Sequence, residues 1–527
     1  MSPENLEVIC KEIIDLFLSL PEEKRSINRV KIQICKDHHL PIVPKNSLIL
    51  SYAGPDERRA LLAELRVKPS RTLSGVAPVA VMTSPYPCPH GICLPCPGGP
   101  DHIFNSPQSY TGEEPAAKRG REHEYNPYSQ TNTRISQFEK LGHPIDKAEL
   151  IIMGGTITAR PENYQDWFVG ECIRAMNAYP GGSVGENFTI NELFEANETA
   201  KVRCVAITFE TRPDYSRPTH IRKMISLGVT KVELGVQHTS DDILLFNRRG
   251  CGTDEVIRAN RDIRNAGLKV GFHVMPNLPG SNIEEDRRMF ENLFSNPNFR
   301  PDFLKIYPTL VTPGSGIEKL YNEGEYSPYP ENDLIDLVAY GKSILPRYVR
   351  LQRVQRDIPA NLIVAGSPHG NFRELAKERL NSIGKHCECI RCREIGRVPS
   401  IEPPLLHVLK YPCCDAVERF ISFDAGNSLI GFIRLRTGHS TGDELVDRSA
   451  IIRELHIYGT MVPIGERGSK DENQHKQFGS LLLKEAESIA SDEGYKYTRI
   501  MSGVGVRQYY RRHGYSLNIP YMEKKIS

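Results

Sequence analysis

The chain has 527 residues, of which 39% are apolar and 25% charged, and a formal net charge of +2. This composition excludes a disordered or fibrous chain, and the length calls for about two to four domains. The near balance of charge excludes any argument for a polyanionic partner from the whole sequence, so such an argument has to rest on local clusters.

In chain order, residues 1–72 read as a small helical domain with a possible RNA contact. Ser2 caps, Pro3 suits the first helical position, and Ile9, Ile13, Phe17 and Leu20 fall on one face. No secretory leader precedes it, and no apolar run reaches the roughly 18 residues of a membrane span. Residues 73–345 then alternate short apolar runs with helical segments. Strands are predicted over 76–83, 148–155, 202–211, 231–237, 268–280 and 302–309. Near-continuous apolar strands separated by helices imply a buried parallel sheet. About six such units predict an α/β fold built as a partial TIM-like barrel, with a doubly wound open sheet as the alternative. In barrels the site lies at the C-terminal strand ends, which carry "GGT", "ETRPD", "GVQ" and "MPNLPG" here. Residues 346–405 read as a basic linker with clustered cysteines. Residues 406–527 have their own rhythm of strand ("IIRELHIYG"), helix ("KQFGSLLLKEAESIASDEG"), strand ("YTRIMSGVG") and short helix with turn ("VRQYYRRHGY").

The 13 cysteines include two close groups, which in a chain without a leader points to metal ligation rather than to disulfides. Cys88, Cys93 and Cys96 sit in "YPCPHGICLPCPGGPD", a proline- and glycine-rich loop directly after the first predicted strand. Three thiolates without a local fourth suit a four-iron cluster with one open iron, and an open iron takes S-adenosylmethionine. A structural zinc knuckle with a distant fourth ligand is the alternative. Gly154 and Gly155 end the second strand, Glu210 and Arg212 the third, and Gln237 the fourth. In an enzyme of this kind Gly154, Gly155, Glu210 and Gln237 would hold S-adenosylmethionine. The second group, Cys387, Cys389 and Cys392 beside His386, has zinc-ligand spacing, with the fourth ligand open between His386, a distant side chain and water. Cys413 and Cys414 form a weaker vicinal candidate.

The C-terminal strand and helix have the order of a GNAT-type acetyltransferase, in which the helix N-terminus holds a pyrophosphate. Reading from Gln474, the turn gives Q-H-K-Q-F-G, so Gln477 stands where that pattern has its first glycine. Tyr509 and Tyr510 follow, and a tyrosine hydroxyl there suits an acid for the leaving thiolate.

Together, "SGVAPVAVM", "CPGGPD", "SYTGEEP", "IMGGT", "TFETRPDY", "LGVQ", "MPNLPG", "LKIYPTLV", "RVQRDIP", "HGNFRELA", "RELHIYG" and "SGVGVRQYYRRHGY" resemble the catalytic third-subunit family of Elongator over nearly the whole chain. The resemblance implies an acyltransferase that forms 5-carboxymethyluridine at the tRNA wobble position from acetyl-CoA and S-adenosylmethionine. It implies a 4Fe-4S cluster on Cys88, Cys93 and Cys96, and zinc on Cys387, Cys389 and Cys392. Acetyl-CoA contacts would fall on Lys147, Glu454, Leu455, His456, Ile457, Phe478, Gly479, Ser480 and Tyr510, with Tyr510 and Lys147 catalytic. The implied partners are tRNA, a low-potential electron donor, a second copy of the chain as one assembly state, and Elongator subunits where the source has them, in the cytoplasm and away from membranes. For RNA, the sequence offers Arg347, Arg350, Arg353 and Arg356, then Arg391, Arg393 and Arg397, near Tyr348, and "KRGREHEYNPY" over 118–128. The competing readings are a protein lysine acetyltransferase with the barrel as scaffold, and a non-catalytic tRNA-binding module.

Overall fold

The computed structural model describes residues 3–21, 23, 25–40, 42–66, 72–182, 185, 188–440, 447–458 and 477–527. Four helices open the chain, Pro3–Ser19, Ile27–Asp37, Asn46–Tyr52 and Pro55–Leu65. Ile9, Ile13 and Phe17 are buried on the expected face of the first and pack with Val30, Ile34, Ile49 and Leu61. Ser2 lies outside the described residues.

Apolar strands joined by long helical crossovers pair in parallel. Seven do so here: β1 (Ala77–Met82), β2 (Lys147–Met153), β3 (Arg203–Thr211), β4 (Lys231–Gln237), β5 (Lys269–Val274), β6 (Phe303–Ile306) and β7 (Arg350–Val354). Each pairs with its neighbours in chain order, which gives a half-barrel with β1 and β7 at its edges. Val79, Leu150, Phe209, Val232, Phe272 and Leu304 are fully buried, and the crossover helices add Phe138, Phe168, Cys172, Ile173 and Ile263 to the same core. Each such side chain contributes roughly 1.5–3 kcal/mol.

The expected half-barrel is present, but β7 lies in the segment read as a basic linker. Only Leu351 and Val354 of β7 are buried, and Arg350, Gln352 and Arg353 fill its other positions. The sequence therefore reads as charged, although β7 pairs with β6 from Phe303 opposite Arg350 to Ile306 opposite Val354.

A second sheet of seven strands follows: β8 (Leu405–Cys413), β9 (Ala416–Ala425), β10 (Ser428–Thr437), β11 (Ser449–Ile457), β12 (Tyr497–Ile500), β13 (Ser516–Asn518) and β14 (Tyr521–Lys525). Its spatial order is β13-β14-β12-β11-β10-β9-β8, antiparallel except for the parallel pair of β11 and β12. Helix Phe478–Asp492 packs Leu482, Leu483, Ala486 and Ala490 onto it.

This sheet docks on the N-terminal ends of the barrel strands. The backbone at Gly503 comes so near β3 that a Cβ would sit 2.0 Å from the Val205 carbonyl oxygen. Between the two sheets lies a buried ion network. Arg453 donates to Asp302 at 2.7 and 2.9 Å and to Glu418 at 2.7 Å, and Arg264 and Arg436 pair with Glu418 at 3.4 and 3.1 Å. Burial would raise the Asp302 carboxyl, yet Arg264, Arg453 and Arg434 hold it well below the usual carboxylate value. Its folded pKa thus lies below its unfolded one of about 3.9, so the stabilisation is complete above that pH. It is lost as pH falls further, because the unfolded chain takes up the proton first. Denaturant titrations should show level stability down to about pH 5 and a steep fall below about pH 4. Level stability to pH 3 would contradict this electrostatic account.

Candidate active site at the strand ends

A cavity of about 1050 Å³ opens at the C-terminal ends of the barrel strands, and Cys88, Cys93 and Cys96 all line it. The loop after β1 brings them there. Pro and Gly forbid helix and strand, and short backbone turns fold the loop back on itself, with Gly91 N–H donating to Cys88 O and Cys96 N–H to Cys93 O. Cys88 Sγ lies 3.6 Å from Thr156 Oγ1, Cys93 Sγ 3.1 Å from His90 Nε2, and Cys96 Sγ accepts from Gln108 Nε2 at 3.0 Å. Arg249 approaches Cys93 Sγ at 3.9 Å. Burial disfavours the Arg249 charge, but the Cys93 and Cys251 sulfurs outweigh it and keep the guanidinium charged. His90 is pushed down to about 4 by burial, then by Arg212 and Arg249.

Gly154 and Gly155 follow β2 with φ of +118° and +85°, a region that favours glycine. A Cβ at 154 would sit 2.3 Å from Thr83 Oγ1 and one at 155 would sit 2.9 Å from Gln108 Cβ. Gly155, Glu210 and Gln237 line the cavity with the cysteines, so the structure brings these sequence candidates together. Arg212 lines it too, but is bidentate on Asp214 at 2.9 and 3.0 Å.

Alternation along the strands aims a set of charged side chains into the barrel interior that the sequence reading missed. Lys305 Nζ pairs with Glu210 at 2.8 Å and also with Glu233, while Glu233 accepts from His273 at 2.9 Å. Tyr110 donates to Glu210 at 2.8 Å, and Lys231 bridges Glu149 at 2.6 Å and Glu233 at 3.2 Å. Burial would raise the Glu233 carboxyl, but Lys305 and Lys231 hold it well below the usual range. Glu210, Glu233 and His273 have a donor set suited to a divalent cation, and the Lys305 ammonium already fills that role among them. The signal was charge at alternate positions of apolar strands, as in "KVELG" and "FLKI".

Cys387, Cys389 and Cys392 place their sulfurs within 4.8 Å of one another. Hydrogen bonds from Cys387 and then Cys392 lower the Cys389 thiol well below its usual pKa, against the opposing effect of burial. Tetrahedral zinc puts its sulfurs about 3.8 Å apart, so this donor set fits that ion. His386 is exposed and is not among the converging donors.

The arginine series is corrected by the structure. Arg347 is bound to Glu388 at 3.0 Å and to Asp424 at 3.2 Å, and Arg350 to Glu394 and Tyr458. Arg393 is buried on Asp424, and Arg397 pairs with Glu394 at 2.7 Å. Tyr348 is buried and stacks on Tyr411 at 4.0 Å. A spacing of three is helical, whereas in the strand β7 it puts Arg350 and Arg353 on opposite faces. Arg353, Arg356 and Arg391 line the cavity. In 118–128, Lys118 and Arg121 pair with Glu113, and Arg119 donates to Ala80 O at 2.6 Å.

The remaining candidates lie at the other end of the barrel. His456 Nε2 is 2.8 Å from Ser74 O, just ahead of β1, and Glu454 accepts from Arg434 at 2.8 Å. Lys147 starts β2, opposite Arg203 in register, and burial lowers its pKa. Leu455 and Ile457 pack against the C-terminal core, and Phe478 meets Phe423 at 5.0 Å. The Tyr509 hydroxyl is 2.7 Å from where a Cβ on Gly479 would be, and Ser480 Oγ is 3.4 Å from His513 Nε2. Tyr510 is buried, and burial pushes its hydroxyl pKa up, so it stays protonated as a donor. Gln474 lies outside the described residues. Gln477 opens the helix with φ of +61°, the left-handed region that favours glycine.

Seven parallel strands in chain order, with three thiols on the loop after the first, define a radical S-adenosylmethionine enzyme. The Radical SAM superfamily profile matches residues 88–293, its C-terminal domain profile 301–382, and the ELP3 N-terminal domain profile 6–73. The chain is 44% identical to the tRNA uridine(34) acetyltransferase of Methanocaldococcus infernus, over 99% of this chain and 100% of that protein. It is 39% identical to Elongator complex protein 3 of Homo sapiens, over 100% and 98%. The solved archaeal Elp3 of M. infernus, lacking its N-terminus, matches with a TM-score of 0.75 and 40% identity, over 86% of this chain and 99% of that one. The chain belongs to this family of tRNA uridine(34) acetyltransferases and Elongator complex protein 3, and is an enzyme of the acyltransferase class.

Proposed function

We propose that the chain carboxymethylates C5 of the tRNA wobble uridine, taking the two carbons from acetyl-CoA. One observation carries this reading. Three cavity-lining thiols stand at one end of the half-barrel, and an acetyltransferase-like strand and helix dock at the other. When bound, a four-iron cluster and S-adenosylmethionine would supply a 5′-deoxyadenosyl radical able to take hydrogen from the acetyl methyl group. Forming the new carbon–carbon bond then costs uridine C5 its proton and one electron, which repays the electron that started the reaction, and water cleaves the thioester to free coenzyme A and leave the carboxymethyl group.

The chain's residues have separate tasks in this reading. Cys88, Cys93 and Cys96 hold the cluster, and the donor set fits it. Among the described residues, His90 Nδ1 and Arg249 Nε are buried beside these thiols without hydrogen-bond partners, ready to face a negatively charged group. Gly155 in the cavity wall, with Gly154 packed behind it against Thr83, receives the amino group of S-adenosylmethionine. Glu210, fixed by Tyr110 and Lys305, and Gln237 receive its polar edge. Lys147, Glu454–Ile457, Phe478–Ser480 and Tyr510 serve acetyl-CoA, with the Tyr510 hydroxyl as proton donor to the thiolate. Cys387, Cys389 and Cys392 hold zinc in a structural role. A low-potential donor supplies electrons, and Elongator subunits join where they exist.

Acetyl-CoA deuterated in its methyl group tests this reading. The reconstituted enzyme with reductant and tRNA should release deuterium-bearing 5′-deoxyadenosine. Release of 5′-deoxyadenosine free of deuterium, alongside modified tRNA, would move hydrogen abstraction to another molecule.

Gln477 gives a second test. Gln477→Gly removes a left-handed non-glycine residue at the helix N-terminus and clears the approach to its N–H groups. It should tighten coenzyme A binding by about 1 kcal/mol, roughly fivefold in calorimetry. Unchanged affinity would place the phosphates elsewhere.

A further inference from the structure

The hairpin that joins β8 to β9 ends in the vicinal cysteines, which the chemistry above does not use. Cys413 pairs with Ala416 in register, so Cys414 and Asp415 form a two-residue turn, and both hold positive φ, of +50° and +57°. Turns of this kind favour Asn-Gly or Asp-Gly, and a non-glycine pair held there calls for a reason in its side chains. Consecutive side chains of a strand point to opposite faces, whereas this turn brings the Cys413 and Cys414 sulfurs within 3.8 Å. The tip is also plugged into the barrel. Cys414 N–H donates to Pro297 O at 3.0 Å, and Cys414 Sγ accepts from Asn260 Nδ2 at 3.1 Å. Arg436 of β10 donates to the Cys413 and Cys414 carbonyls, each at 3.0 Å, and to Glu418 at 3.1 Å.

A cavity of about 280 Å³ lies against the tip, and Cys413 lines it with Pro297, Asn298, Pro412 and Asp415. Pro412 and Asp415 are exposed, so a small solute reaches the Cys413 sulfur from this side. A hydrogen bond from Cys414 lowers the Cys413 thiol against the effect of burial, and Arg264 lowers it further. The thiolate is the attacking form in disulfide exchange. We propose that Cys413 and Cys414 form a reversible vicinal disulfide, a thiol–disulfide switch set where the C-terminal sheet meets the barrel. The oxidant is a small disulfide. The Cys413 thiolate attacks one of its sulfurs and releases a first thiolate. Cys414 gives up its proton and displaces the second thiolate from the mixed disulfide, so two electrons pass from the cysteine pair to the oxidant. A dithiol returns them. Adjacent Cα atoms lie about 3.8 Å apart across a trans peptide, short of the usual disulfide span, so the bond is readily reduced. That suits a switch and not a permanent brace. Closing the present gap of 3.8 Å between the sulfurs turns the peptide between them, and Arg436 then keeps only one of its two carbonyls. Oxidation thereby loosens the tip from Pro297 and Asn260, independently of the reaction proposed above.

The test equilibrates the full reconstituted chain anaerobically in mixtures of mercaptoethanol and hydroxyethyl disulfide. Acid quenching, alkylation and peptide mass spectrometry then read the pair. The peptide carrying Cys413 and Cys414 should escape alkylation as the share of disulfide rises, at a mass two hydrogens below the dithiol. Dithiothreitol should restore it. Hydrogen exchange on the same samples should become about fivefold faster at the tip amides, Cys414 first, as one hydrogen bond is lost. Cys414→Ser keeps a hydrogen-bonding atom for Asn260. It should stop at a mercaptoethanol adduct on Cys413 and keep the exchange rates of the reduced parent. The parent chain decides the matter even if this variant folds poorly. A parent peptide that stays fully alkylated across the series, stops at the same adduct, or pairs with a third cysteine would overturn the switch and leave the two thiols as a buried anchor. A vicinal disulfide that leaves exchange at the tip unchanged would overturn its coupling to the barrel.

Discussion

Cys93→Ser is expected to give a folded chain that takes up no iron–sulfur cluster and makes no modified nucleoside. A hydroxyl is a hard, weakly acidic donor, and the soft iron centre needs the thiolate. The substitution keeps the size of the side chain and a hydrogen-bonding atom for His90, which lies 3.1 Å from the native sulfur. The loop therefore keeps its turns, and RNA affinity should stay near that of the parent. Iron and sulfide analysis after anaerobic reconstitution reads the first effect, and RNA titration the second. A folded Cys93→Ser chain that loses RNA binding to the same degree would make the loop chiefly architectural.

Asp302→Asn is expected to be the most destabilising conservative change in the chain, at about 3–5 kcal/mol. The native carboxylate accepts from Arg453 through both oxygens, from Arg264 at 3.3 Å and from the Val270 N–H at 2.9 Å. Arg434 approaches it at 3.4 Å. Removing its charge leaves Arg264, Arg436 and Arg453 on Glu418 alone, with Arg434 held by Glu454. Uncompensated buried charge is what makes breaking such a network costly. Denaturant unfolding should show the lost stability, with proteolysis reaching the C-terminal sheet before the barrel. A change below about 1 kcal/mol would mean that the network is screened and adds little.

Much of this was readable from sequence because strands buried on both faces write themselves as apolar runs. Six barrel strands were recognisable that way, as were β11 and β12 and the helix Phe478–Asp492. The three-thiol loop and Gly154-Gly155 were readable because proline, glycine and cysteine carry narrow backbone and chemical meanings. β7 escaped because Arg350, Gln352 and Arg353 leave it only two buried residues, three positions apart, and no apolar run or alternation. The arginine series misled for the same reason: which guanidinium is free depends on acids far away in sequence, such as Asp424 for Arg347 and Arg393. Lys305, Glu233, His273 and Tyr110 also escaped, because they converge from β6, β4, β5 and the loop after β1. Their pairing is a property of the curved sheet and of no single segment.

The most direct measurement uses anaerobically reconstituted protein with reductant, S-adenosylmethionine, acetyl-CoA and tRNA. The tRNA is digested and its nucleosides are read by mass spectrometry, with each cofactor omitted in turn. The account predicts 5-carboxymethyluridine only when both cofactors are present, and none from Cys93→Ser. Absence of the nucleoside from protein with a loaded cluster and bound tRNA would contradict it, as would its formation without S-adenosylmethionine.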